Sequence, residues 1–371
     1  MMTKTRSRSS SAESIYYDVT KDLNDYPDAW AYIIIGGRNT GKTYGALKHQ
    51  LDIEKPHVFV KRTNDDVELL CSGNHLGDKE KKYAIDLSPY KSLNRDMGTN
   101  IKAFKVDNGI GAFFNADSED GAVGAPVGYL LSLNAIHKYK GFDLSECTSI
   151  IFDEFIPQPW ERTNRKEGEQ LMDLYKTVAR DRELRGLPEL KLICLANAVN
   201  VFNYTCEILE ITDLIADMSI KGQETVYIDD RGIFIRILKT SDAMKAAEAK
   251  TGIHRAMQGT AWGNMAFENE FGYNDFSNIK KVALKGYRPI VELTYKQKKI
   301  YIYNNGYDYY ICHSPGKCEN VYNLNLEMDI RAFYLDFVID LLNASTRGLV
   351  KYEKYSYYDI IVNYKRRFIV K

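Results

Sequence analysis

Short apolar runs alternate with longer amphipathic or irregular stretches over the first two thirds of the chain. Runs in which nearly every position is apolar are typical of strands buried on both faces of a parallel sheet. The alternation of such strands with helical stretches predicts an α/β fold. The predicted strands are Ala31–Ile35, His57–Lys61, Thr148–Phe152, Lys191–Leu195 and Thr225–Ile228, with Gly232–Leu238 pairing nearby.

A long insertion, Ser72 to Lys140, separates the second and third predicted strands and is rich in Gly, Asn, Asp and Lys. Within it, two apolar stretches, Ile101–Val106 and Gly111–Asn115, flank the turn sequence Asp107-Asn108-Gly109. Such a turn between two strand-like stretches predicts a β-hairpin.

The pattern changes near Pro289, where apolar and polar positions begin to alternate as they do in half-buried strands. An amphipathic helix is predicted after these strands. The chain therefore ends in a separate α+β domain. Its predicted strands are Ile290–Tyr295, Lys299–Tyr303 and Tyr307–Cys312, and its helix is Asp329–Leu342.

The chain has 371 residues, which is too long for one core. We predict a flexible N-terminal extension over residues 1–27, an α/β domain over 28–240, a small linker domain over 241–275 and a C-terminal domain over 276–371. No apolar run approaches the roughly 20 residues that span a bilayer, so no membrane partner is expected. Basic and acidic residues number 50 each, which argues against a protein that simply coats nucleic acid but allows a local basic patch.

The first predicted strand leads into a phosphate-binding loop of the form G-x-x-x-x-G-K-[ST]. In this motif, backbone N–H groups and a helix N-terminus surround the phosphates of a nucleotide. Lys42 would bridge the β- and γ-phosphates, and Thr43 would bind Mg²⁺. The guanine-specifying motif N/T-K-x-D is not found in a suitable place, so ATP and Mg²⁺ are the predicted cofactors. The predicted loop residues are Gly36, Gly37, Arg38, Asn39, Thr40, Gly41, Lys42 and Thr43.

Two acids, Asp153 and Glu154, directly follow the third predicted strand. Asp153 at the strand tip would hold the Mg²⁺ and its water shell. Glu154 is placed to polarise a water for attack on the γ-phosphate, a role that a kinase does not need. The pair therefore favours hydrolysis of ATP over transfer of its phosphate.

Two further polar residues follow predicted elements. Asn197 closely follows the strand Lys191–Leu195 and would sense the γ-phosphate, as in ATPases with an additional catalytic glutamate. The alternative is a turn residue that caps the strand. Arg180 ends a helix and lies opposite an apolar stripe of that helix. The spacing leaves open whether Arg180 is an arginine finger for a neighbouring subunit or an ordinary surface residue.

Four segments in this order resemble the DNA-packaging ATPases of small phi-29-type tailed phages. The resemblance implies a homopentameric ring motor that translocates double-stranded DNA through the portal of an empty capsid. It implies a P-loop ATPase domain of the additional-catalytic-glutamate type, a linker domain and a C-terminal domain that resembles an RNase H-type nuclease without cutting. The four segments are Ile35–Lys42, Ser149–Ile156, Leu171–Asp173 with Arg180–Glu183, and Ile193–Val199.

The same resemblance implies several roles and partners. Arg180 would act on the neighbouring subunit, and Lys140 aligns with a family lysine near the same boundary. A family lysine that is thought to face DNA aligns with Asn64, so we assign the DNA contact to Lys61 and Arg62 just before it. The implied location is the host cytoplasm, with transient attachment to the portal vertex of the procapsid and absence from the mature virion. A packaging RNA is a partner in part of the family.

The leading hypothesis from the sequence is therefore an ATP-driven DNA translocase. Two alternatives stay open at this point. The first is a P-loop kinase, against which Glu154 and the placement of Arg180 count. The second is an ATP-gated capsid-assembly or scaffolding factor that uses nucleotide as a switch.

Overall fold

The computed structural model describes residues 16–71, 87–117, 121–158, 160–161, 163–240, 242–260, 262–263, 271 and 274–368. Two compact units make up the chain. The first comprises Met1–Asn200 and Gly222–Gly272, and the second comprises Val201–Lys221 and Tyr273–Lys371.

In the described part of the first unit, nine strands form one sheet with the order β3-β4-β5-β2-β6-β7-β1-β9-β8. The strands from β5 to β9 in this order run parallel, and β3, β4 and β8 at the two edges pair antiparallel with their neighbours. The strands are β1 (Ala31–Ile35), β2 (His57–Lys61), β3 (Ile101–Asp107), β4 (Ile110–Ala116), β5 (Ala122–Ser132), β6 (Ser149–Asp153), β7 (Lys191–Ala196), β8 (Thr225–Ile228) and β9 (Ile233–Ile237).

The predicted parallel sheet is confirmed, with each predicted strand found within one residue of its expected bounds. The hairpin inside the insertion is also confirmed as β3 and β4. The sequence did not predict β5, whose first four residues are exposed and whose buried positions cluster only near Leu130 and Leu131. The insertion therefore extends the main sheet rather than forming an appendage.

The central strands of this sheet are buried on both faces, because nearly all their consecutive positions are buried. On one face, Ala46, Leu47, Val67 and Leu93 pack with alternate residues of the central strands in one hydrophobic core. The helices in the described part of the first unit include α1 (Val19–Asp25), α2 (Lys42–Asp52), α3 (Asn64–Leu70), α4 (Lys91–Met97), a 3₁₀ helix (Leu133–Gly141), α5 (Glu167–Ala179), α8 (Asp242–Glu248) and α9 (Gly252–Met257).

In the described part of the second unit, a mixed sheet has the order β13-β10-β11-β12-β14. This confirms the predicted α+β character. The third strand begins at Tyr309, two residues later than predicted. The Asn305 side chain accepts hydrogen bonds from the N–H groups of Tyr307 and Asp308, and these bonds hold a turn before the strand. The strands are β10 (Arg288–Tyr295), β11 (Lys298–Asn304), β12 (Tyr309–Cys312), β13 (Asn320–Asn323) and β14 (Val350–Tyr352).

The predicted helix of the second unit is longer than expected and contains a π-helical segment, Tyr334–Val338. No helix among the described residues is both long and apolar enough to cross a bilayer. The helices of this unit are α6 (Tyr204–Ile208), α7 (Thr212–Lys221), α10 (Glu327–Phe333), α11 (Ile339–Thr346), α12 (Tyr355–Val362) and α13 (Tyr364–Phe368).

Helices α6 and α7 belong to the second unit, although they lie within the α/β domain predicted from the sequence. Asp213 accepts hydrogen bonds from the backbone and hydroxyl of Ser356, and Glu207 pairs with Arg367. These polar contacts and the packing of α7 against α12 join the two segments. The functional domain boundaries stay a prediction.

Helix α1 lies in the segment that the sequence assigned to a flexible extension, but it is anchored by buried contacts. Asp22, at 1% exposure, accepts hydrogen bonds from Arg236 Nε at 2.7 Å and from the hydroxyl of Tyr17 at 2.7 Å. Arg236 stands on β9, so this ion pair fastens α1 to the edge of the parallel sheet. Residues 1–15 lie outside the described residues.

We expect Asp22→Asn to lower the free energy of unfolding by about 3 kcal/mol, because it leaves the Arg236 charge without its buried partner. Urea denaturation followed by circular dichroism measures the change. Asp52→Asn is the matched control, since the pair of Lys48 and Asp52 is nearly half exposed and should contribute about 1 kcal/mol or less. Equal losses in the two variants would contradict a structural role for the buried pair.

Candidate functional site

A pocket of about 330 Å³ lies where β1, β6 and β7 end. The predicted phosphate loop, the two acids and Asn197 therefore converge, as expected for residues at the carboxyl ends of neighbouring parallel strands. The lining residues are Arg38, Asn39, Thr40, Gly41, Lys42, Thr43, Tyr44, Asp153, Glu154, Ala196 and Asn197.

The phosphate loop turns sharply into the N-terminus of α2. Asn39 and Gly41 have φ angles of +60° and +87°, and Gly41 is the residue that caps the helix. A side chain at Gly41 would be strained by this φ and would meet Tyr16 Cβ at 2.8 Å. The N-terminus of α2 therefore lies at the pocket, and its first backbone N–H groups favour the binding of an anion there.

Lys42 is almost fully buried beside the loop. Its Nζ donates hydrogen bonds to the carbonyls of Gly36 at 3.1 Å and Gly37 at 2.6 Å, and to Asn197 Oδ1 at 3.3 Å. Burial lowers the pKa of Lys42 to about 8, although the charges of the two nearby acids act in the opposite direction. A phosphate bound nearby would therefore stabilise the charged form of Lys42.

The Thr43 hydroxyl donates a hydrogen bond of 2.8 Å to Asp153 Oδ1. A hydroxyl and a carboxylate are hard oxygen ligands of the kind that Mg²⁺ takes in phosphate sites. The residues present thus fit the predicted Mg²⁺, and Thr43 and Asp153 would be its protein contacts.

Glu154 follows Asp153 with a φ of +58°, and its side chain is 65% exposed toward the pocket that it lines. Lys61 at the end of β2 contacts both acids, with Nζ 3.0 Å from Asp153 Oδ2 and 3.1 Å from Glu154 Oε2. Burial alone would lower the pKa of Lys61, but the two carboxylates raise it above its ordinary value. Lys61 is thus a cation of the site itself, which the sequence did not reveal.

Arg62 is buried beneath the same region. Its Nε lies 2.7 Å from Glu167 Oε2, and its Nη2 donates to the carbonyls of Glu154 at 3.0 Å and Phe155 at 3.1 Å. Arg62 is 8% exposed, and Lys61 is paired with the two acids. These contacts give no support to the DNA contact that the sequence assigned to Lys61 and Arg62, which stays a prediction.

Strand β7 lies between the strands that carry the phosphate loop and the acids, since it pairs in parallel with β1 and with β6. This arrangement was expected of an ATPase with an additional catalytic glutamate. Asn197, one residue beyond β7, reaches Lys42 through its side-chain oxygen. Its amide therefore lies beside the lysine that would touch the terminal phosphates.

Arg180 ends α5 in an unusual backbone conformation, with φ +39°. The apolar stripe Leu171, Leu174 and Val178 of this helix is buried, while Arg180 is exposed, as its position predicted. Its Nη2 donates to the carbonyl of Phe142, and it is not among the residues that line the pocket of its own chain.

Lys140 lies in the 3₁₀ helix Leu133–Gly141, and its side chain falls outside the described residues. The hydrogen bond from Arg180 to the Phe142 carbonyl joins the helix end that carries Arg180 to the segment that directly follows Lys140. The two residues with a predicted role at a subunit boundary therefore come from neighbouring stretches of backbone.

We expect the affinity for ATP to fall as the pH rises through about 8. Below the lowered pKa of Lys42 its ammonium is present in the free protein, and the negative charge of a bound triphosphate would raise this pKa again. Binding above pH 8 therefore requires uptake of a proton, and the dissociation constant should approach a tenfold rise per pH unit. Titration with a fluorescent ATP analogue between about pH 7 and 9 measures this. Lys42→Arg stays charged throughout, so an equally steep loss in that variant would contradict the assignment.

The chain was also compared with known proteins. The family model of the podovirus DNA encapsidation protein (Gp16) matches residues 120–364, more than half of the chain. The DNA packaging protein of Bacillus phage B103 is 26% identical over 271 residues, which cover 71% of this chain and 70% of that protein. The DNA packaging protein of Bacillus phage phi29 is 24% identical over 265 residues, covering 70% of this chain and 67% of that protein.

Solved structures share the fold. A chain of the bacteriophage Phi-29 viral genome packaging motor assembly matches with a TM-score of 0.62 at 18% identity, over 96% of this chain and all of that one. A chain of the Phi-28 gp11 DNA packaging motor matches with a TM-score of 0.57 at 17% identity, over 96% and 98%. Because the family model spans residues 120–364, which include the two acids, Arg180 and Asn197, the chain belongs to the podovirus DNA encapsidation protein family.

Proposed function

We propose that this chain is an ATP-hydrolysing subunit of a homo-oligomeric ring that drives double-stranded DNA into a preformed phage capsid. The observation that carries the proposal is the division of groups between two surfaces. The phosphate loop and two acids meet in one pocket, while the exposed Arg180 lies outside that pocket.

The pocket supplies the groups for binding ATP. The N-terminus of α2 and Lys42 would hold the β- and γ-phosphates, and Asn197 would contact the terminal one. Thr43 and Asp153 would hold Mg²⁺, which neutralises phosphate charge when bound. The parallel order of β6, β7 and β1 supports assignment to the P-loop ATPases with an additional catalytic glutamate.

Glu154 would orient and polarise the attacking water. Its exposed carboxylate can reach solvent on the pocket side, and among the described residues it forms an ion pair with Lys61 alone. General-base assistance of this kind contributes about 10²–10⁴-fold to rate. The presence of this acid supports hydrolysis over phosphate transfer to a second substrate.

Arg180 would complete the site of the next subunit. An arginine finger that neutralises transition-state charge contributes about 10³–10⁵-fold to turnover. Apolar side chains near Arg180 support a covering partner, since Leu184 is 87% exposed and Phe142 is 39% exposed in the single chain. Lys140 would act at the same boundary, as the resemblance implies.

The relatives of this chain suggest the wider assembly. Those of Bacillus phages B103 and phi29 are DNA packaging proteins, and the Phi-29 structure is a genome packaging motor assembly. We propose a pentameric ring that attaches transiently to the portal vertex of the procapsid in the host cytoplasm. A packaging RNA is a further proposed partner.

The C-terminal domain would keep an RNase H-like form without cutting DNA, as the resemblance implies. Glu292 on β10 has the carboxylate that a metal-binding site of this kind would need, and this carboxylate lies 2.5 Å from Lys299 Nζ. A lysine paired with this carboxylate competes with any cation there. The proposed role of the domain is to hold DNA and dock the motor.

We expect Glu154→Gln to reduce ATP turnover by about 10²–10⁴-fold while ATP still binds, because the amide cannot accept a proton from water. Steady-state phosphate release and binding of a fluorescent ATP analogue measure the two effects. Glu169→Gln on the exposed side of α5 is the matched control and should behave as the unmodified protein. Packaging into emptied capsids should stop with Glu154→Gln; continued packaging would favour a nucleotide-gated assembly factor.

We expect Arg180→Ala subunits to lose turnover and to regain part of it when mixed with Lys42→Ala subunits. The Lys42→Ala subunit cannot use ATP but still offers its Arg180 to an intact neighbouring site. ATPase activity across mixing ratios measures the rescue. Normal hydrolysis by Arg180→Ala alone, without any gain on mixing, would refute action across a subunit interface.

A further inference from the structure

The loop that follows α5, residues 180–189, is exposed almost throughout. All ten residues are described, and Arg182 is the one whose side chain is buried, at 4% exposure. The apolar residues of the loop offer no alternative anchor, since Leu184 and Leu187 are 87% and 41% exposed. The position of this loop therefore depends on what Arg182 contacts.

Arg182 donates three hydrogen bonds, each of 2.8 Å, to backbone carbonyls. Its Nε reaches Pro188 at the far end of the same loop, and its Nη1 reaches Ser145 and Cys147. Ser145 and Cys147 lie in the connection between the 3₁₀ helix and β6. A rigid, permanently charged guanidinium suits this task, because it binds several acceptors in a fixed geometry.

These bonds join the loop that contains Arg180 to the connection that the Arg180 side chain contacts. Arg180 lies two residues before Arg182 and donates to Phe142, which lies in the connection that Arg182 pins at Ser145. Arg180 also has the unusual φ of +39°, which surrounding contacts must maintain. Without the bonds from Arg182, an exposed loop of this kind has few contacts that oppose local opening.

We propose that Arg182 is a positioning residue that holds Arg180 where it can reach the nucleotide of the neighbouring subunit. The inference rests on the proposed function, in which Arg180 acts across an interface. The proposed role predicts which of two neighbouring ATP sites is affected. A change at Arg182 should impair the finger that a subunit offers, while the ATP site of the same subunit stays intact.

The test uses Arg182→Lys in the full chain, which keeps the charge but loses the forked geometry. Misplacement of a catalytic group by about 1 Å costs about 100-fold in rate, so turnover of the variant alone should fall by about this factor. Binding of a fluorescent ATP analogue should not change. Arg185→Lys, an exposed position of the same loop, is the matched control and should hydrolyse ATP as the unmodified protein does.

Mixing variant subunits distinguishes a misplaced Arg180 from a defect in the variant's own ATP site. Arg182→Lys subunits should recover turnover with Lys42→Ala subunits, which offer an intact finger, and should gain nothing with Arg180→Ala subunits. Rescue of Arg180→Ala but not of Arg182→Lys by Lys42→Ala would overturn the inference, because the defect would then lie in the variant's own ATP site. Turnover of Arg182→Lys at the unmodified rate would also overturn it.

Two further outcomes are decisive. Cooperative loss of the fold in Arg182→Lys, seen by circular dichroism, would overturn the inference by showing that Arg182 supports the whole sheet. If Arg180→Ala is not rescued by Lys42→Ala, the proposed action in trans fails, and the positioning role fails with it. That second failure is detected in an experiment that leaves Arg182 unchanged, so the two are distinguishable.

Discussion

The parallel ladder of β6, β7 and β1 sets the geometry on which the rest of the site depends. Ile35 pairs with Ala196, and Asp153 pairs with Leu195, so three strand ends stop at the same edge of the sheet. This register brings Thr43 and Asp153, 110 residues apart, within a hydrogen bond of each other. The phosphate loop acquires its chemistry from this juxtaposition, since the loop alone contains no carboxylate.

Much of this arrangement could be predicted because it follows from local patterns. Continuous apolar runs identify buried strands, and the loop motif identifies the turn from β1 into α2. Once a parallel sheet is assumed, acids that directly follow a buried run must lie at the carboxyl edge. The same reasoning explains why Arg180 could be placed on the exposed side of α5 from helical periodicity, although its role at an interface stays a proposal.

The remaining features depend on which elements become neighbours, and periodicity does not encode this. Lys61 pairs with Asp153 and Glu154 because β2 lies beside β6, whereas the sequence shows only a lysine at the end of a strand. Arginine is usually a surface residue, yet Arg62 and Arg182 are both buried. Each donates hydrogen bonds to backbone carbonyls of segments that are distant in sequence. Such satisfied buried arginines can be recognised only after the fold is known.

Helix α5 connects the contacts of Arg62 to Arg180. Arg62 binds the carbonyls behind Glu154 and also binds Glu167, the first residue of α5, while Arg180 lies at the opposite end of that helix. Thirteen helical residues form a rod of about 20 Å. In the proposed ring, α5 would therefore connect two sites: its first residue is joined through Arg62 to the backbone of Glu154, and its last turn leads to the arginine offered to the next subunit. In the proposed ring of such subunits, a displacement at one ATP site would have a direct route to the adjoining one.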